Sequence, residues 1–210
     1  MRKPLYFYQE KIVNKRSRSE GRFVTDRLAE RLLADPDTFL GEVTRSERKS
    51  YRVESHRKDR DIPQSNREEE IVAIRLYKEL DMFLDYQVPL PAWKGDPRGN
   101  IDLLMEWDGV LYLTELKRES SQETLLRAAL EIETYYRMVD RELLLREWPP
   151  RRREVGKAVL LFENVACRAY WEWLHPEEFP HVHRLLKEWG IQVFTIKSHI
   201  DPPRQAEPWT

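Results

Sequence analysis

The 210-residue chain has a single cysteine, Cys167, only seven glycines, and no apolar run near the roughly 20 residues that cross a bilayer. One cysteine excludes an internal disulfide and any Cys-rich zinc or Cys-ligated iron–sulfur centre. The opening Met1-Arg2-Lys3-Pro4 is basic, but the roughly 7–15-residue apolar segment of a signal peptide does not follow it. No GxxxxGK[ST] phosphate loop occurs, so no nucleotide-driven motor is indicated. These absences lead to the expectation of a cytoplasmic chain with no membrane partner.

A net charge excess is also lacking: 36 basic and 37 acidic residues leave −1. The sum conceals an asymmetry. Residues 1–60 hold 16 Lys/Arg against 10 Asp/Glu, and the remainder hold 20 against 27. A basic first part and an acidic remainder are expected to face different partners. With 40% hydrophobic residues the chain can build a core, for one good-sized domain with an extension or at most two small ones.

Residues 2–13 suggest a short strand. Phe23–Leu33 suggests a helix ending near Asp35-Pro36, with another turn from Asp37. Residues 44–64 are nearly all polar and rich in Arg and Lys. They read either as a surface linker or as a DNA-contacting arm, with Arg48, Lys49, Arg57 and Lys58 as its contacts. From Ser65 the pattern changes. Ser65-Asn66-Arg67-Glu68 matches a capping box that opens a helix to about Leu80. Phe83–Leu90, Asn100–Trp107 and Val110–Lys117 read as strands, the last two flanking the hairpin dipeptide Asp108-Gly109. Ser120-Ser121-Gln122-Glu123 is a second capping box, before a long helix closed by Pro149-Pro150. Gly156–Phe162 reads as a buried strand, Val182–Trp189 as a helix capped by Gly190, and Ile191–Ile196 as a last strand. The division is therefore a basic extension over 1–64, an α+β core with a central mixed sheet over 65–200, and a tail over 201–210.

The two-residue loop fixes a register. Trp107 faces Val110, so Asp102 lies opposite Glu115 and Asn100 opposite Lys117. Opposed residues have Cβ atoms roughly 4.5–5.5 Å apart, and alternation puts Glu115 and Lys117 on one face. Two facing carboxylates call for a cation, which Lys117, a bound ion or both can supply. Leu111 and Leu113 share that face, so the charges end an apolar row, as charges lining a cleft or forming an internal ion pair do. Magnesium favours one or two carboxylates with waters and phosphate oxygens, and a neighbouring lysine can orient water or stabilise phosphate charge. A cross-strand ion pair without catalysis fits the same residues.

The set resembles the PD-(D/E)XK nuclease superfamily over roughly residues 65–197. Asp102 matches its acid on the second core strand, and Glu115-Leu116-Lys117 its acid-x-Lys on the third. The resemblance implies a restriction-endonuclease-like fold and metal-dependent DNA hydrolysis. Asp102, Glu115 and the Leu116 carbonyl would hold Mg2+ or Mn2+, and Lys117 would serve the water or the transition state. Many members add a first-helix glutamate. Glu69 continues the Val72-Ala73-Leu76 stripe and is preferred, with Glu70 second. Some branches carry Gln-x-x-x-Tyr on the next helix, where this chain has Glu131 in place of the Gln, and Tyr135; an ordinary packed helix is the better reading of both. The signature proline is absent, with Gly99-Asn100-Ile101 preceding Asp102. DNA, a homodimer or a larger nucleic-acid-processing complex are the implied partners. The alternative is an inactive DNA-binding or assembly subunit on the same fold.

Outside this set, His181-Val182-His183 lacks a third ligand and reads as a helix turn, and Cys167 as a small buried residue. Tyr170, Trp171 and Trp173 read as packing or as base-stacking groups. Arg151-Arg152-Arg153 reads as a solvated basic loop.

Overall fold

The computed structural model describes residues 6–40, 43–59, 67–91 and 99–206. Expectations for Met1–Leu5, Arg60–Asn66 and the last four residues lie outside them. Two 3-10 turns, Phe7–Gln9 and Lys11–Asn14, lead to a short hairpin of β1 (Arg18–Ser19) and β2 (Arg22–Phe23). Helices α1 (Val24–Ala34), α2 (Pro36–Leu40) and α3 (Glu68–Glu79) precede three strands, β3 (Phe83–Pro89), β4 (Asn100–Trp107) and β5 (Val110–Lys117). Then come α4 (Leu125–Met138), α5 (Arg141–Glu147), β6 (Val155–Phe162), α6 (Arg168–Trp173), α7 (Pro180–Glu188), β7 (Ile191–Ile196) and β8 (Arg204–Gln205).

The fold is α+β. Six strands form one mixed sheet in the order β3-β4-β5-β6-β7-β8. β3, β4 and β5 are an antiparallel meander, β6 and β7 run parallel to β5, and β8 returns antiparallel. Each face carries its own apolar cluster. Leu104, Leu111, Leu113, Val159 and Leu161 join α4, α5, α1 and α7 in the larger one. Leu103, Met105, Leu116, Leu160 and Phe194 meet α3 in the smaller one. Sheet residues alternate between the two clusters with a two-residue period, which breaks at Gln87 and Asp102: Tyr86 and Leu103 lie in the smaller cluster, Val88 and Ile101 in the larger. Tyr8, Val13, Leu28 and Tyr51 sit in the larger cluster, so the described part of the N-terminal extension is built into the same core.

The β4–β5 turn has φ 47° at Asp108 and 78° at Gly109, both in the left-handed region that a two-residue primed turn requires. Register follows it from Trp107↔Val110 to Leu103↔Thr114.

Several local expectations are corrected. Residues 7–14 form 3-10 turns and not a strand, with Tyr8 and Val13 as their buried residues. Arg67 is the cap position of α3, so the helix begins after the expected Ser65 box, whose Ser65 and Asn66 lie outside the described residues. The box at Ser120 also fails: α4 begins at Leu125, with the Thr124 hydroxyl accepting the Arg127 N–H. The long helix is two, because Asp140 caps α5 through the Leu143 N–H at 3.0 Å. Residues 204–205 of the expected tail pair with β7 as an edge strand.

The polar stretch 43–59 has no helix or strand but is fastened to the body. The Ser46 N–H donates to the Met138 carbonyl and its hydroxyl to that of Leu90, each at 2.7 Å. Tyr51 is fully buried, and its hydroxyl accepts the Asp140 N–H at 2.9 Å. His56 bonds Asp85 at 2.6 Å and stacks on Tyr86. A strap is the right description of it, since a free arm would leave these polar groups to water.

Candidate functional site

The β4–β5 pairing ends at Leu103↔Thr114, and Asp102 and Glu115 are the next residues along the two strands. There the ladder stops and a side chain replaces it. Asp102 Oδ2 accepts the backbone N–H of Leu116 at 3.0 Å. In an extended strand one residue's N–H and C=O leave the same edge, so the Leu116 carbonyl also faces the Asp102 side. The other Asp102 oxygen accepts from the Gln87 amide at 2.8 Å. Gln87 lies in β3 with φ 43°, a conformation rare for a residue with a Cβ and seen where a site over-determines the backbone. Nothing in the sequence signals Gln87.

Lys117 is 1% exposed and Glu115 3%. The ammonium donates to Glu115 at 2.6 Å and to Glu123 at 2.5 Å. Arg127 holds the other Glu123 oxygen at 2.7 Å. Glu123, expected inside a capping box, is thus a site residue that the sequence reading missed. The charge requirement of a buried lysine outweighed the local cap signal.

Glu131 and Tyr135, one turn apart on α4, are also drawn in. Tyr135 donates to Glu131 at 2.9 Å, and its hydroxyl meets that of Tyr8 at 3.4 Å. Burial, Glu131 and the neighbouring groups push the Tyr8 phenol up to about 12, and Tyr135 is raised further by burial first. Both are neutral hydrogen-bonding groups at any ordinary pH. Gly99 passes so close that a Cβ there would lie 2.2 Å from the Tyr135 hydroxyl oxygen.

Glu69 lines a cavity with Asp102, Gln87, Glu70 and Arg118. Burial raises the Glu69 carboxyl, against the pull of Lys117. Asp102 is pushed up to about 7 by burial and by Glu69, although Lys117 and the Leu116 N–H oppose this. Glu115 is raised well above the usual range by burial, Asp102 and Glu131. Burial alone would lower Lys117, but Glu115, Glu131, Glu123 and Glu69 together hold it well above its ordinary value. Glu123 resists its burial and is lowered by Lys117 and Arg127. Burial is the first cause at Glu69, Asp102 and Glu115, and neighbouring carboxylates add to it.

Glu115, Glu123 and Glu131 offer oxygens within 4.8 Å of one another, and Asp102 is not in that trio. Each carboxylate oxygen of Asp102 accepts one hydrogen bond and keeps a second lone pair. The donor set is all oxygen and negatively charged, which suits a hard divalent cation.

The expected basic contacts behave differently from one another. Arg48 is spent on the Pro91 carbonyl at 2.7 Å and the Ser50 carbonyl at 2.9 Å. Lys58 pairs with Asp81 at 2.6 Å. Lys49 and Arg57 are exposed. None of the four joins the carboxylate cluster. His181 bonds Asp26, and His183 meets the Glu172 carbonyl and stacks on Trp173, which explains both without a metal. Trp173 and Cys167 are buried.

No helix among the described residues is long and apolar enough to cross a membrane. Comparison with protein-family models, with curated proteins and with solved structures finds no significant match to this chain.

Proposed function

We propose that the protein is a metal-dependent DNA endonuclease of restriction-endonuclease-like architecture. The observation that carries the reading is the hairpin itself: Asp102 bonds the Leu116 N–H at the point where Glu115 and Lys117 end an apolar row. Asp102, Glu115 and the Leu116 carbonyl would hold Mg2+ or Mn2+, with Glu69 closing the cavity beside Asp102. Such a cation lowers the pKa of bound water and neutralises charge on the phosphate. Lys117 holds its proton among the carboxylates and meets developing phosphate charge with a fixed positive group. Glu123 and Arg127 fix the direction of that ammonium. Tyr135 and Tyr8 keep Glu131 oriented without adding charge.

The test is incubation with labelled single-stranded, duplex and branched DNA in Mg2+, Mn2+ or EDTA. Metal-dependent cleavage lost in Asp102→Ala and Lys117→Ala supports the reading. Salt-sensitive binding with no cleavage on any substrate supports the second reading, an inactive DNA-binding or assembly subunit. That reading is favoured by one feature, the closure of Lys117 by two acids.

A further inference from the structure

The carboxyl ends of β5, β6 and β7 lie along one edge of the sheet, because the three strands run parallel. Residues just past those ends, with the first turns of α3, enclose a second cavity of about 380 Å³. This edge is where open parallel sheets bind ligands, and the volume is that of a small-molecule site. Its apolar lining is Ile71 and Val72 from α3, Phe162 ending β6, and Ala166 beyond it. Arg75, Glu119, Ser120, Asn164 and His199 add polar and charged groups. Val165 and Ile200, 69% and 64% exposed, adjoin the lining residues Ala166 and His199 in sequence. Large apolar side chains left in water beside an apolar cavity mark a contact surface.

Glu68 and Arg118 line this cavity and also the one that holds Asp102 and Glu69. Their ion pair, 2.7 Å long, belongs to both. Resting on the phosphodiester reading above, we infer that the second cavity takes an unpaired nucleobase of the strand whose phosphate lies at Asp102 and Lys117. A flat base has an apolar face for Ile71, Val72 and Phe162 and a hydrogen-bonding edge for Ser120 and Asn164. Its own phosphate would fall beside Arg118, which immediately follows Lys117 in the chain. A base inside a continuous duplex is stacked and paired, and extruding it costs free energy that an unpaired base does not require. The substrate class is therefore DNA with an unpaired nucleotide beside the cleaved bond.

The test measures binding in EDTA, so that no cleavage intervenes. Fluorescence anisotropy compares a labelled duplex, the same duplex with one unpaired nucleotide, and the single strand. The wild-type protein is expected to bind the two substrates with unpaired bases about tenfold more tightly than the duplex. Ala166→Trp and the milder Ala166→Met, both on an exposed loop and checked by circular dichroism, fill the cavity. They are expected to abolish the preference and leave duplex affinity unchanged. Equal wild-type affinity for all three substrates overturns the inference, as does a preference that survives both variants. Metal-dependent cleavage without the preference removes this inference alone, whereas failure to bind any nucleic acid removes both readings.

Discussion

The Asp102 carboxylate takes the Leu116 N–H at 3.0 Å where the β4–β5 ladder ends. The acid proposed to hold the metal is thereby tied to the strand that carries Glu115 and the lysine. The same burial and crowding push Asp102 up to about 7.

That shift sets a pH dependence. An acid with a raised folded pKa retains protons that the unfolded chain releases. Its favourable contribution is complete below its ordinary value near 3.8 and is lost as pH rises toward about 7. In EDTA, urea midpoints are expected to fall from pH 5 to pH 8. Asp102→Asn, which can still accept the Leu116 N–H, should reduce that fall. Equal slopes in the two proteins would show that Asp102 is not raised.

Removing the buried ammonium should be severe. Lys117→Met leaves Glu115 without a cation and Glu123 with Arg127 alone, and breaking such a buried pair costs about 3–5 kcal/mol. Urea denaturation in EDTA measures this, and millimolar Mn2+ is expected to restore part of the loss. A variant as stable as the wild type would contradict the ion-pair geometry.

Gly99 and Tyr135 should be coupled. Gly99→Ala puts a Cβ against the Tyr135 hydroxyl and is expected to cost about 1–3 kcal/mol by overpacking. In a Tyr135→Phe background the cost should shrink, giving a non-zero coupling in a double-mutant cycle. Strict additivity would mean that Gly99 relaxes away from Tyr135.

The basic residues separate into two kinds. Arg48→Ala removes two hydrogen bonds to backbone carbonyls and should cost stability of about 1–3 kcal/mol. Lys49→Ala and Arg57→Ala, both exposed, should leave stability alone and flatten the salt dependence of DNA binding. Each lost phosphate contact lowers the log–log slope by about 0.9. Unchanged slopes in both would remove the strap from the DNA-binding surface.

The centre of the site was legible because the turn is local. Asp108-Gly109 permits positive φ at both positions, which sets the register as far as Leu103↔Thr114; the expected pairing of Asp102 with Glu115 is replaced by the Asp102 bond to the Leu116 N–H. Glu123 was not legible: the Ser120–Glu123 pattern is a genuine cap signal, but Lys117 claimed the carboxylate and Thr124 took the cap. Gln87 carries no signal, since glutamine is not a residue that marks a positive φ. Glu131 and Tyr135 showed their helical spacing, but their role depends on Tyr8, 127 residues before Tyr135. The strap looked free because its anchors, Tyr51 and Ser46, are two residues in a charged stretch and their partners come from distant segments.

The most direct measurement is a Mn2+ titration followed by electron paramagnetic resonance, in which bound ion leaves the free-ion signal. Wild-type protein is expected to hold Mn2+ at sub-millimolar concentration, and folded Asp102→Asn and Glu115→Gln are each expected to weaken retention by at least about tenfold. No retention by the wild type, or retention unchanged in both variants, would contradict a divalent-cation site at the end of this hairpin.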